Sequence, residues 1–107
     1  MARALIQVPP SVRRGDSVEV RTLIAHPMET GHRVGADGRP VARDIVRRLA
    51  CRLDGELVFK AEFFPAIAAN PYCAFHVLAT HSGTLTVRWE GDNGFAQTES
   101  IPLVVAG

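Results

Sequence analysis

The dipeptide Asp54-Gly55, set between two runs of alternating side chains, constrains this chain more than any other feature. A tight type I′ hairpin turn needs positive φ at both central residues, and Asp-Gly supplies it. Upstream, Leu49, Cys51 and Leu53 alternate with Arg48, Ala50 and Arg52. Downstream, Leu57, Phe59, Ala61 and Phe63 alternate with Glu56, Lys60 and Glu62. A period of two belongs to strands with one buried face. Residues 48–63 therefore predict an antiparallel hairpin, with Leu57, Phe59, Ala61 and Phe63 facing inward on the returning strand.

The same period recurs along the chain. Val18, Val20, Thr22 and Ile24 alternate with Glu19, Arg21, Leu23 and Ala25, and Leu85, Val87 and Trp89 with Thr84, Thr86, Arg88 and Glu90. Turn residues separate the runs at His81-Ser82-Gly83 and at Gly91-Asp92-Asn93-Gly94,. A first strand is expected over Ala4 to Val8 and a last from about Phe95 to Val105, where Pro102 suits an edge position,. Tyr72 to Thr80 is apolar at odd and even positions alike, which predicts a strand covered on both faces,. About seven strands with no supported helix, in 107 residues, predict a single domain over 1–107: an all-β, immunoglobulin-like antiparallel β-sandwich,. The exception to the regular turn spacing is Pro27 to Val41, glycine-rich and aperiodic, expected as a long functional loop,.

Charge narrows the function classes. The formal net charge is +1, and the arginine doublets at 13–14 and 47–48 make no basic stripe, so no nucleic-acid partner is expected,. The longest uncharged run, between Glu62 and His76, is broken by two prolines and too short for a membrane span,. Residues 1–9 lack a long apolar stretch, so no secretory signal is expected,. Cys51 and Cys73 fall in expected strands and read as small buried thiols, with a disulfide as the alternative,.

Catalytic constellations are missing from the pattern. His26 and His32 with Glu29 between them lack the further ligands that a tetrahedral zinc site requires,. Cys73, among apolar neighbours, is a poor nucleophile, and no serine lies in a nucleophile-elbow context,. What remains is surface. The segment 63–72 is punctuated like a loop by Pro65, Asn70 and Pro71, yet filled with Ala66, Ile67, Ala68 and Ala69 between aromatics. A solvent loop is polar, so this one is expected to lie against something apolar, with a partner chain favoured over the domain's own end.

Two long motifs carry a resemblance that covers almost the whole chain. His26-Pro27-Met28-Glu29-Thr30-Gly31, then Arg33, Asp37-Gly38-Arg39-Pro40 and Arg43-Asp44-Ile45, resembles the long loop of the SoxZ family. Glu62, Pro65 to Tyr72 and Ala74-Phe75 resemble its second signature, and Ser82 to Thr86 with Trp89 is similar to its following hairpin. The resemblance implies one subunit of the SoxYZ carrier complex of thiosulfate oxidation. In that family the SoxY partner carries the sulfur substrate on a glycine-flanked cysteine of its C-terminal arm. This chain ends Leu103-Val104-Val105-Ala106-Gly107 without a cysteine, so the expected role is the non-carrying half. Cys73 stands where the family leads one to expect a larger apolar residue, and it reads as packing rather than as a sulfur carrier.

The expectation is thus a non-enzymatic, cofactor-free scaffold that binds and stabilises a SoxY-like subunit, as a heterodimer or higher assembly. It would touch other Sox components transiently and be exported to the periplasm with its partner. The expected interface is Pro65, Ala66, Ile67, Ala68, Ala69, Asn70, Pro71 and Tyr72, with His76 and Leu78 beside it. His26, Met28 and Arg43 come next, in or flanking the long loop. A generic immunoglobulin-like binding or accessory domain is the alternative, and a small metal-binding sandwich a further one.

Overall fold

The computed structural model describes residues 3–64, 67 and 69–106. Among these residues lie nine strands: β1 Ala4–Gln7, β2 Val12–Arg13, β3 Ser17–Ile24, β4 Val46–Leu53, β5 Glu56–Glu62, β6 Tyr72–Leu78, β7 Gly83–Gly91, β8 Ala96–Leu103 and β9 Val105–Ala106. One antiparallel sheet has the order β1-β3-β6, the other β5-β4-β7-β8. Together they form the expected immunoglobulin-like sandwich. The two strands not foreseen are short: β2 and β9 pair in parallel, Val12 with Val105, tying the two ends of the chain together.

Alternating residues fill the space between the sheets. Val18, Val20 and Ile24 from β3 meet Leu49, Cys51 and Leu53 from β4 and Leu85, Val87 and Trp89 from β7, all buried. Thr22 is the polar member of this layer, and its hydroxyl donates to the Cys73 carbonyl at 2.7 Å, which removes the penalty of burying it,. The rings of Phe59 and Phe75 stack at 4.1 Å between centroids and join the β5 and β6 edges across the core.

Asp54 and Gly55 take φ of 49° and 86°, the paired positive values that the hairpin turn demands,. The strands they join depart from the expected phase. A bulge beyond Cys51 pairs Cys51 with Phe59 but Arg52 with Leu57, leaving Val58 as the extra residue,. Leu57, expected inward, therefore sits on the outer face and is exposed.

A second correction concerns β6. Phe75 and Val77 are buried, whereas Tyr72, Ala74, His76 and Leu78 face outward with no other element of the described chain over them. This strand is covered on one face only.

The segment between β3 and β4 is more ordered than its aperiodic sequence implies. Glu29 and Asp44 exchange two backbone hydrogen bonds of 2.8 Å each, and a further bridge joins Val34 to Pro40. Gly38, at φ 78°, turns the ribbon at its tip,.

Candidate partner-binding face

The register of β1, β3 and β6 decides which side chains share the outer face of the three-stranded sheet. Leu5 lies opposite Leu23, and Leu23 opposite Tyr72. The next rows hold Gln7, Arg21 and Ala74, then Glu19 and His76, then Ser17 and Leu78. Leu5, Leu23, Tyr72 and Leu78 are 49%, 38%, 61% and 59% exposed, so this face is apolar at both ends. Its middle is charged but self-neutralised, since Arg21 donates to Glu19 at 2.7 Å. β6 ends its sheet, so one side of its backbone has no strand partner among the described residues.

The segment before β6 carries further exposed apolar side chains. Phe63 is buried and its N–H donates to the Arg47 carbonyl, whereas Phe64 and Ile67 are exposed. Asn70, at φ 52°, is clamped to His26 by a reciprocal pair: its N–H donates to the His26 carbonyl at 2.7 Å, and its side-chain oxygen accepts from the His26 N–H at 2.9 Å. That clamp fixes the segment to the end of β3, beside the Leu5–Leu23–Tyr72 row. Of the residues expected at an interface, Ile67, Ala69, Asn70, Tyr72, His76 and Leu78 are exposed, while Pro71 is buried. Pro65, Ala66 and Ala68 lie outside the described residues. Leu5 belongs to the same surface and was not expected there, whereas Phe64 lies beside Arg43, Arg47, Arg48 and Glu62 at the other sheet. The signal for Leu5 was its alternate position in the first strand.

His26 and Met28, expected at a docking loop, are instead interior. The His26 ring meets Phe95 edge-on at 4.8 Å, and Nδ1 accepts the Met28 N–H at 3.0 Å. That bond places the ring proton on Nε2, which faces Asp44 Oδ1 at 3.5 Å,. Met28 holds φ 53°, and its thioether sulfur accepts the Val46 N–H at 3.2 Å. Arg43 stays accessible but forms a two-pronged ion pair with Asp92, at 2.8 and 2.9 Å. The guanidinium holds the Asp92 carboxyl below its usual range, and the same carboxylate accepts the Ile45 N–H. All three residues are committed to fastening the 27–44 ribbon to the sandwich.

Few of the described side chains invite chemistry. His81 Nε2 lies 3.3 Å from Asp54 Oδ2 and its Nδ1 lies 3.0 Å from the Thr80 hydroxyl. The order carboxylate–imidazole–hydroxyl is that of a nucleophilic relay, but all three groups are exposed on turns with no enclosing cleft. The contact joins the β4–β5 turn to the β6–β7 turn. Burial pushes the Cys51 thiol up to about 11 and raises Cys73 as well, which suppresses the reactive thiolate,. Among the described residues, no three His, Cys, Asp or Glu side chains group as metal ligands would. The Glu29 carboxylate is engaged by Arg33 at 2.7 Å.

The family model described as sulphur oxidation protein SoxZ matches residues 6–102. No curated protein sequence matches the chain. Among solved structures, the fold is similar to the superoxide reductase (neelaredoxin) from Ignicoccus hospitalis, at 18% identity and a TM-score of 0.70, over 96% of this chain and 80% of that one. It is similar also to the sulfur carrier protein SoxY from Chlorobium limicola f thiosulfatophilum, at 13% identity and a TM-score of 0.67, over 97% and 79%. At these identities the likeness is one of fold.

Proposed function

The chain belongs to the SoxZ family of sulphur oxidation proteins, a family of Sox-system subunits, and on that premise we propose that it is the non-catalytic scaffold of a SoxYZ-type carrier. Its partner is a SoxY-like subunit that bears the sulfur substrate, and the pair works in the periplasm. The observation that carries this reading is the row Leu5–Leu23–Tyr72, left open to solvent at the foot of an edge strand.

Several features support it. An exposed aromatic flanked by leucines is the composition of an interface centre rather than of an average surface. Ile67, on the segment clamped to the end of β3, and Leu78, at the far end of β6, add exposed apolar area toward the roughly 800 Å² per side that a stable heterodimer needs,. The edge of β6, which has no strand partner among the described residues, offers backbone donors and acceptors for a partner strand,. The SoxY of Chlorobium limicola has a similar fold, so the assembly would join two sandwiches of like build. Raised thiol pKa values at Cys51 and Cys73 favour the non-carrying role for this chain.

Hydrogen exchange of the chain with and without its SoxY-like partner tests the reading. Binding should protect amides in β1 and β6 and in the 67–71 segment. Protection confined to β4, β7 and β8 would refute it.

A further inference from the structure

The outer face of the four-stranded sheet is the chemical opposite of the apolar face. Its register sets Glu62, Arg48 and Glu90 in one row, Lys60, Ala50, Arg88 and Thr98 in the next, and Leu57, Arg52, Thr86 and Ser100 in the third. Four cations thus stand against two carboxylates. Glu90 is shared by Arg48 at 3.0 Å and Arg88 at 3.5 Å, and those hydrogen-bonded guanidiniums hold its carboxyl below the usual range. Arg52 and Lys60 have no carboxylate partner among the described residues; Arg52 reaches only the Gly55 carbonyl, at 3.4 Å. Around the small side chain of Ala50, therefore, Arg52, Lys60 and Arg88 wall a flat basic field edged by the hydroxyls of Thr86, Thr98 and Ser100.

The spacing selects the ligand. Lys60 and Arg88 stand two strand spacings apart, roughly 10 Å, on a flat surface. A small oxyanion needs converging donors in a recess, which a flat sheet does not provide. A nucleic acid needs a longer basic track than three side chains on a chain of net charge +1,. Carboxylates carried on a protein surface match both the spread and the flatness. We propose that this face docks the acidic surface of an enzyme that loads or unloads the carrier. The proposal rests on the scaffold reading, because only a chain whose opposite face is filled by the carrying subunit leaves this face to successive visitors. Exposed, salt-screened charge pairs give fast and reversible contacts, whereas an apolar patch gives a standing one.

The test uses the intact complex with its SoxY-like subunit, wild type and carrying R52E, K60E and R88E together. Each purified Sox enzyme component of the same organism is passed over it at about 50 and about 300 mM salt. Binding of at least one component should weaken about 10-fold or more in the triple variant at low salt, and the wild-type affinity should fall as salt rises. A variant carrying R52K and R88K should bind as wild type. Affinity for the SoxY-like subunit should be the same in all three. If every component binds the charge-reversed complex as it binds wild type, the docking face is refuted and the scaffold reading stands. If the wild-type chain does not hold the SoxY-like subunit at all, both readings fall.

Discussion

Replacing Tyr72 by alanine measures the apolar face at its most exposed aromatic. A tyrosine buries roughly 200 Å² when fully covered, and Tyr72 is 61% exposed, so roughly 120 Å² remains for a partner to cover. At about 25 cal/mol per Å², losing that contact costs about 3 kcal/mol, or about 100-fold in Kd. The isolated chain should hardly notice, because the side chain already faces water and Tyr72 begins its strand; its unfolding free energy should change by less than about 1 kcal/mol. Titration calorimetry with the SoxY-like subunit and urea unfolding of the chain alone give the two numbers. Leu78→Ala should cost less, about 1–2 kcal/mol from its 59% exposed leucine, and Leu23→Ala less again from 38%,. An affinity change below about threefold for Tyr72→Ala would refute the placement of the interface. A reversed order among the three would show that another part of the surface is buried.

Further outcomes follow from individual contacts. Ile67→Asp places a charge on the apolar patch while its own backbone stays in a surface turn, so heterodimer formation should weaken by at least an order of magnitude with the isolated fold intact; equal affinity would remove Ile67 from the interface. Gly91→Ala should destabilise by about 1–3 kcal/mol in denaturant unfolding, since the new Cβ would collide with the Ile45 backbone carbonyl,; wild-type stability would show that the β4–β7 junction relaxes freely. Acid should loosen the 27–44 ribbon first. Arg43 holds the Asp92 carboxyl below 3.8 and Arg33 holds that of Glu29 below 4.5. Groups lowered on folding stabilise fully above those values and lose that contribution as pH falls through their folded values. Hydrogen-exchange protection in residues 28–44, relative to the intrinsic rate at each pH, should therefore fall below about pH 4.5, and less so in a Glu29→Gln, Asp92→Asn double variant; equal acid sensitivity in the two would contradict the ion-pair account.

The fold was legible where chemistry is local. Asp54-Gly55 fixes its turn through its own backbone, and the alternation of Val18 to Ile24 or Leu85 to Trp89 reports burial directly. The family, too, could be read from two ordered motifs. What escaped depends on partners distant in the chain. Leu57 was assigned inward because the bulge beyond Cys51 leaves no mark in side-chain identity. Arg43 meets Asp92 across 49 positions, and Met28 meets the Val46 N–H through a sulfur, an acceptor that no motif announces. The apolar outer face of β6 was visible as pattern, but a sequence says only that a side chain is apolar, not which chain will cover it. Asn70 looked like a surface residue and is one, yet its side chain also clamps the end of β3.

The most direct measurement is isolation of the chain from its native extract, with intact-mass analysis of whatever co-elutes. The account predicts a stoichiometric SoxY-like subunit ending in a glycine-flanked cysteine and carrying mass adducts of sulfur species, with this chain unmodified. A lone chain eluting without such a partner, or sulfur adducts found on Cys51 or Cys73 instead, would contradict it.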